Sequence, residues 1–219
     1  MADQPKPPAG SALDAVQAGP GATAAPPARL QATRLSHPSV DALRARFGTA
    51  VVHHEVSAGD QHVIYVAPAR NLEILRWLKE DQGQRFDLLA DVTAVDFGGG
   101  RPLQVVYQLW SIPHRRGLRV KCELALTALE IDSVVPLWRT ADWLEREVYD
   151  LFGIHFDHHP DLRRILLPAD WAGHPLRKEH DLEYRENDWV RRHLAIREVH
   201  PETDQTGKYE MTEFVKANR

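Results

Sequence analysis

The stretch that decides the fold runs from residue 142 to residue 178. It opens Asp142-Trp143-Leu144-Glu145-Arg146-Glu147-Val148-Tyr149-Asp150-Leu151-Phe152-Gly153-Ile154. It continues His159-Pro160-Asp161-Leu162-Arg163-Arg164-Ile165-Leu166-Leu167-Pro168, then Gly173-His174-Pro175-Leu176-Arg177-Lys178. The opening segment reads as a short helix. Asp142 is placed to cap it, with Glu145 at the capping-box spacing, and Gly153 is placed to end it in the left-handed conformation. At about 100° per residue, Trp143, Leu144, Val148, Leu151 and Phe152 share one arc, and Glu147 falls inside it. A carboxylate on an apolar face needs a partner or a proton. Arg163, Arg164, Arg177 and Lys178 are the candidate partners. The other reading sets Glu147 at the edge of the face, where it reaches water. Pro160, Pro168 and Pro175 recur too often for a helix or a central strand. Leu162, Ile165, Leu166, Leu167 and Trp171 nevertheless require burial. An extended arm meets both conditions, packed on its own domain or on another protein.

These residues carry a family resemblance. The runs 145–154, 159–166 and 173–178 resemble the signature of the 30-kilodalton-type subunit of NADH-quinone oxidoreductase, respiratory complex I. Residues 86–96 and 103–120 resemble it too, so the likeness covers residues 39–182. It departs after Lys178: the family continues with an acid, an aromatic and a proline, whereas this chain reads Glu179-His180-Asp181. That puts the path of the C-terminal tail in question. Some members are fused to the quinone-site subunit; ending at Arg219, this chain is expected to be the unfused form.

Upstream, Val40, Leu43 and Phe47 predict a helix capped by Ser39 and ended by Gly48. Residues 50–56 and 62–66 are β-rich and are joined by Ser57-Ala58-Gly59-Asp60, a hairpin pattern. Pro68 opens a second helix reaching Gln82, with Leu72, Leu75, Trp77 and Leu78 largely on one side and Gly83 as its stop. Residues 86–97 read as a strand whose acids Asp87, Asp91 and Asp96 could include a carboxylate pair but more often, at that spacing, mark a solvated edge. Gly98 to Gly100 make a turn without the spacing of a phosphate loop. Leu103, Val105, Tyr107 and Leu109 alternate with partners of mixed polarity. Leu118, Val120, Cys122, Leu124 and Leu126 alternate with Arg119, Lys121 and Glu123, the clearest half-buried antiparallel strand in the chain. The order helix, two strands, helix, three strands, signature helix predicts an α+β fold. It is a two-layer domain with a mixed or antiparallel sheet, helices on one face, and an extended C-terminal arm.

Residues 1–35 form a Pro/Ala-rich tail expected to be disordered: residues 1–29 hold nine alanines, six prolines and three glycines and cannot bury enough apolar surface to offset their ordering entropy. The α+β domain is expected over 36–156, and the arm and tail that dock on a partner over 157–219. Beyond Leu182 the chain is highly charged, with Trp189, Val190, Leu194 and Ile196 as candidate anchors.

The net charge of −4 gives no electrostatic case for nucleic acid. No stretch of about 18 apolar residues is present to span a bilayer, and no signal-peptide pattern opens the chain. The single cysteine, Cys122, excludes a disulfide framework and a self-contained four-cysteine cluster. It lies on an apolar strand face and reads as a small hydrophobe. No Gly-x-Ser-x-Gly elbow occurs. His155, Asp157, His158, His159 and His174 match no established zinc spacing; His159 and His174 each precede a proline and are pushed toward extended backbone.

The residues thus describe a domain without catalytic residues or a cofactor motif. The resemblance implies a peripheral-arm subunit beside the quinone-site subunit and near the iron–sulfur subunits, on the cytoplasmic side of the bacterial inner membrane. The whole complex passes electrons from NADH through FMN and iron–sulfur clusters to quinone, coupled to proton pumping. This chain itself is expected to hold no cofactor. Its interface candidates are Glu145, Glu147, Asp150, Arg163, Arg164, His174, Arg177 and Lys178, with the three acids paired to Arg163, Arg164 and Arg177 within the chain or across the interface. Two alternatives stand beside this: the equivalent subunit of a membrane-bound hydrogenase or formate-lyase complex, and, more remotely, a small histidine-dependent metalloenzyme.

Overall fold

The computed structural model describes residues 36–180; the expected tails 1–35 and 181–219 lie outside them. Helix α1 (Pro38–Phe47) and a 3-10 turn (Gly48–Ala50) lead into strands β1 (Val51–Ser57) and β2 (Gln61–Val66). A second 3-10 turn (Pro68–Arg70) opens helix α2 (Asn71–Glu80), followed by β3 (Leu88–Val95), β4 (Leu103–Ser111) and β5 (Arg116–Leu124). Strand β6 (Glu130–Asp132), helix α3 (Ala141–Phe152) and strand β7 (His155–Asp157) complete the regular elements.

The main sheet has the order β1-β2-β5-β4-β3. Three of its pairings are antiparallel and β2–β5 is parallel, so the sheet is mixed. A parallel neighbour needs a crossover, here supplied by α2 together with β3 and β4. Period-two alternation sorts the strands into two faces. Leu103, Val105, Tyr107 and Leu109 of β4 meet Leu118, Val120, Cys122 and Leu124 of β5 in one buried cluster. Val40, Leu43 and Phe47 of α1, Ile74, Leu75 and Leu78 of α2, and Ala141, Val148 and Phe152 of α3 join the same cluster.

Val63 and Val106 are buried too but point to the opposite face, which carries a polar ladder instead of helices. There Gln61 Nε2 donates to Gln108 Oε1 at 3.1 Å, Arg119 Nε to the same oxygen at 3.0 Å, and Lys121 Nζ to the Tyr65 hydroxyl at 3.2 Å. The expected two-layer α+β architecture with a mixed sheet is therefore observed. Cys122 is fully buried on the core face, where burial pushes its thiol far above the ordinary range.

Three local expectations are corrected, and one ribbon lies beyond them. Helix α1 is capped by His37, whose Nδ1 accepts the Ser39 N–H at 3.2 Å; Ser39 is inside the helix. Helix α2 ends at Glu80, short of Gln82. Asp142 does not cap α3: the helix begins at Ala141 after Thr140, without a side-chain cap bond. Short strands β6 and β7 pair in parallel as a separate ribbon, Glu130↔His155 to Asp132↔Asp157; no period-two pattern marks three-residue strands.

Candidate functional site

Helix α3 is turned differently from the expected arc. Its buried stripe is Ala141, Glu145, Val148 and Phe152, with Asp150 also buried. That spacing follows one helical face, but Trp143 faces out at 70% exposure. Glu147 is exposed as well, and among the described residues it pairs with neither Arg163, Arg164 nor Arg177. The acid on the buried side is Glu145, with no exposed surface. Its carboxylate accepts the Ser133 hydroxyl at 2.6 Å and the Val134 N–H at 2.7 Å, tying the β6–α3 connection to the helix. Burial pushes its pKa up to about 7 despite those two donors, and neighbouring Asp142 adds to the rise.

At the C-terminal end of α3, Asp150 organises the arm. Its Oδ2 accepts three consecutive backbone N–H groups: Ile165 at 3.0 Å, Leu166 at 2.8 Å and Leu167 at 2.9 Å. Its Oδ1 accepts Arg164 Nη1 at 2.7 Å. Burial alone would raise this carboxyl; the four donors outweigh it and hold Asp150 below the ordinary carboxylate range. Arg164 reaches onward, its Nη2 donating to the carbonyls of Trp171 at 3.0 Å and Gly173 at 3.1 Å. A buried carboxylate thus collects one turn of the arm, and its cation collects the next. His174 adds a third tie, its Nδ1 donating to the Asp150 carbonyl at 2.9 Å. Gly153 makes room for that ring: it stands at φ 75°, and a Cβ there would lie 2.6 Å from His174 Cδ2.

The far end of the arm is held by Asp96. Its carboxylate accepts Lys178 N at 2.9 Å and Gly98 N at 2.8 Å, and Arg177 Nε lies 3.3 Å from Oδ2. Burial again raises the carboxyl, and the Lys178 and Gly98 N–H groups with Arg177 bring it below the ordinary range. Reading Asp96 as part of a solvated edge is therefore corrected: it is 8% exposed and clasps a segment 82 residues later. Its placement beside the Gly98-Gly99-Gly100 turn, all three residues at positive φ, was the available sequence signal.

Of the expected ion pairs, the structure joins Asp150 with Arg164. Arg177 pairs with Asp96 and with Glu179; Arg163 pairs with Asp161 at 2.8 Å. Glu145 takes neutral donors in place of an arginine. Lys178 acts through its main chain, and His174 through the α3 carbonyl.

The remaining histidines of the stretch do not converge. His159 Nδ1 accepts the Asp161 N–H and its Nε2 donates to the Asp142 carbonyl at 3.1 Å, which fixes its tautomer. His155 Nε2 lies 3.6 Å from Asp157, and His158 Nδ1 lies 3.3 Å from Asp132. Among the described residues no three His, Cys, Asp or Glu side chains form a metal-binding group.

The arm is thus an extended segment fixed at both ends by buried carboxylates, and it lifts apolar side chains into solvent. Leu166 is 63% and Leu176 48% exposed, and Trp143 of α3 is exposed as well. The family model described as respiratory-chain NADH dehydrogenase, 30 Kd subunit, matches residues 64–186, more than half of the chain.

The chain belongs to this family.

As a member, it is one subunit of an oxidoreductase complex, and its partners are other subunits of that complex. The corresponding NADH-quinone oxidoreductase subunit of Citrifermentans bemidjiense is 46% identical over 142 residues, 64% of this chain and 86% of the relative. Its counterpart from Geotalea uraniireducens is 44% identical over 142 residues, 64% of this chain and 85% of the relative. A chain in the structure of the membrane-bound sulfane sulfur reductase, an archaeal respiratory membrane complex, shares the fold. It has a TM-score of 0.59 at 21% identity, covering 78% of this chain and 96% of that one. Within the described residues of this 30-kilodalton-type subunit, no helix is long and apolar enough to cross a membrane.

Proposed function

We propose that this chain is a peripheral-arm scaffold subunit of a proton-pumping NADH:quinone oxidoreductase, and that it positions the quinone-site subunit. In this reading NADH, FMN, the iron–sulfur clusters and quinone are bound by other subunits, and this chain supplies no catalytic residue. It sits on the cytoplasmic side of the bacterial inner membrane, peripheral, next to the quinone-site subunit and neighbouring iron–sulfur subunits.

One observation carries the reading: the doubly clasped arm. An extended segment has no hydrogen-bond ladder of its own, and ordering it on docking would cost about 1–2 kcal/mol per residue if it were free beforehand. Here Asp150 and Asp96 hold it to the domain, while Trp143, Leu166 and Leu176 point outward. Exposed aromatic and aliphatic side chains held on a rigid support suit a protein partner. Preordering the arm removes the cost that docking would otherwise meet.

The test is to tag the full chain in its native host, solubilise the membranes gently and identify what co-purifies. The expected result is a quinone-site subunit, flavin and iron–sulfur absorbance. Recovery of a nickel-binding large subunit, or of the chain alone with bound metal, would overturn it.

A further inference from the structure

A groove opens between the end of β5 and the ribbon β6–β7. Pro68, Leu124, Ala128 and Ile131 give it an apolar floor. Four carboxylates line it as well: Glu123 of β5, Glu130 and Asp132 of β6, and Asp157 of β7. The ribbon register sets Asp132 opposite Asp157, and like charges set opposite on paired strands are unfavourable.

No lysine or arginine lines this groove among the described residues. The arginine ion pairs lie elsewhere, on Glu73, Asp161, Asp150, Asp96 and Glu179. Glu123 accepts the Gln104 amide at 2.9 Å. Asp132 and Asp157 each face one exposed histidine, His158 at 3.3 Å and His155 at 3.6 Å. An apolar floor with acidic walls fits a peptide segment that presents arginine together with aliphatic side chains. The guanidinium fork meets carboxylates bidentately, and its stem packs on apolar surface.

The chain carries such a segment, starting ten residues beyond His180, the last described residue. It reads Val190-Arg191-Arg192-His193-Leu194-Ala195-Ile196-Arg197, with three arginines, four apolar residues and no acid, between Asp188 and Glu198. The arm ends beside the groove. Arg177, Lys178 and Glu179 share a small cavity with Leu126, while Ala125 and Ala128 on either side of Leu126 line the acidic groove. Leu126 and Ala128 are two residues apart, about 7 Å at most. Ten extended residues span about 33–36 Å, more than that step requires.

We propose that residues 190–197 of this chain's own C-terminal tail seat in the groove, with the arginines against its carboxylates and Leu194 and Ile196 on its apolar floor. The seat belongs to the unassembled chain and is independent of the proposed scaffold role. It covers the aliphatic side chains of the tail within the same molecule.

The experiment traps the seat as a disulfide. The purified full chain carries Ala128→Cys, at an exposed position, together with Leu194→Cys. Diamide is the oxidant, and tryptic peptides identify the bond. Cys122 is buried and stays out of it. The expected result is a bond within one chain at low salt. It should form at least tenfold more slowly with Arg191→Glu and Arg192→Glu, and more slowly in 1 M salt, where the Debye length is about 3 Å. Adding Glu130→Lys and Asp132→Lys to the reversed tail should restore much of the rate. Circular dichroism checks that each variant is folded; if the groove variants are disturbed, the tail variants decide alone. Three results would overturn the seat: a rate that ignores the charge reversal, a bond that joins two chains, or equal trapping when Leu30→Cys of the arginine-bearing segment 29–35 replaces Leu194→Cys.

Discussion

Arg164 Nη1 stands 2.7 Å from Asp150 Oδ1, and the Asp150 side chain is fully enclosed. The pair closes the arm over the end of α3, because the same carboxylate also holds Ile165, Leu166 and Leu167 by their N–H groups. Exchanging Asp150 for Asn removes the charge and puts an NH2 group in place of one carboxylate oxygen, so one of its two sets of donors loses its acceptor. It leaves Arg164 buried without its counter-charge. Removing one member of a buried pair costs about 3–5 kcal/mol. Chemical denaturation of the Asp150→Asn domain should show a loss of that size, and trypsin should cut at Arg163 and Arg164 in the variant before wild type. Equal cleavage rates would show that Asp150 does not hold the arm.

Glu145 and Asp150 lie five residues apart on α3 yet respond to pH in opposite directions. Glu145 has a folded pKa raised to about 7, so folding takes up a proton. Its contribution is fully present below the unfolded value of about 4.3 and is lost as pH rises through about 7. Asp150 and Asp96 are lowered by their donors, so their contributions are present above the unfolded value of about 3.9 and are lost as pH falls below it. Unfolding free energies measured between pH 5 and pH 8 should decline for wild type relative to Glu145→Gln, which has no proton to lose. Parallel curves for the two proteins would place Glu145's proton elsewhere.

The packing of His174 beneath Gly153 gives a prediction about a pair. Gly153→Ala carries a left-handed penalty of about 1–2 kcal/mol for a residue with a Cβ. It also meets the His174 ring at 2.6 Å. The ring must move and release the Asp150 carbonyl. In His174→Ala the clash is absent, so the second Gly153→Ala step should cost only the backbone part. A double-mutant cycle should therefore return a coupling of about 0.5–3 kcal/mol. Additive effects would mean that the ring yields freely.

Much of this was legible in the chain because it is written in short periods. Leu118, Val120, Cys122 and Leu124 alternate cleanly, and strand β5 follows. Gly153 after Phe152 marks the end of α3, and it ends there at φ 75°. Asp150 and Arg164 could be named as candidates because a buried arm rich in arginine needs carboxylates. Which acid meets which base is a tertiary fact. Glu145 looked like a capping-box residue, but its partners Ser133 and Val134 lie 12 and 11 residues earlier. Trp143 read as core by hydrophobicity, although a helix wheel has no means of locating the sheet. The ribbon β6–β7 joins three-residue strands 25 residues apart, beyond any local period.

Trp143, Glu147 and Leu166 separate a folding role from a docking role. Trp143 is 70% and Leu166 63% exposed, and Glu147 is on the outer side of α3. Substitutions at exposed positions usually stay within about 0.5 kcal/mol of wild type. Trp143→Ser, Leu166→Ser and Glu147→Gln should therefore leave the denaturation midpoint of the isolated chain nearly unchanged. If these residues form the docking face, the same changes should lower the amount of assembled complex recovered with the tagged chain. The aromatic should matter most, because truncating a central interface aromatic costs about 2 kcal/mol or more, a fall of roughly thirtyfold in affinity. Glu147→Gln alone should act mainly through association rate, with an effect that fades as salt is raised. Full recovery of complex from all three variants would move the docking face away from α3 and the arm.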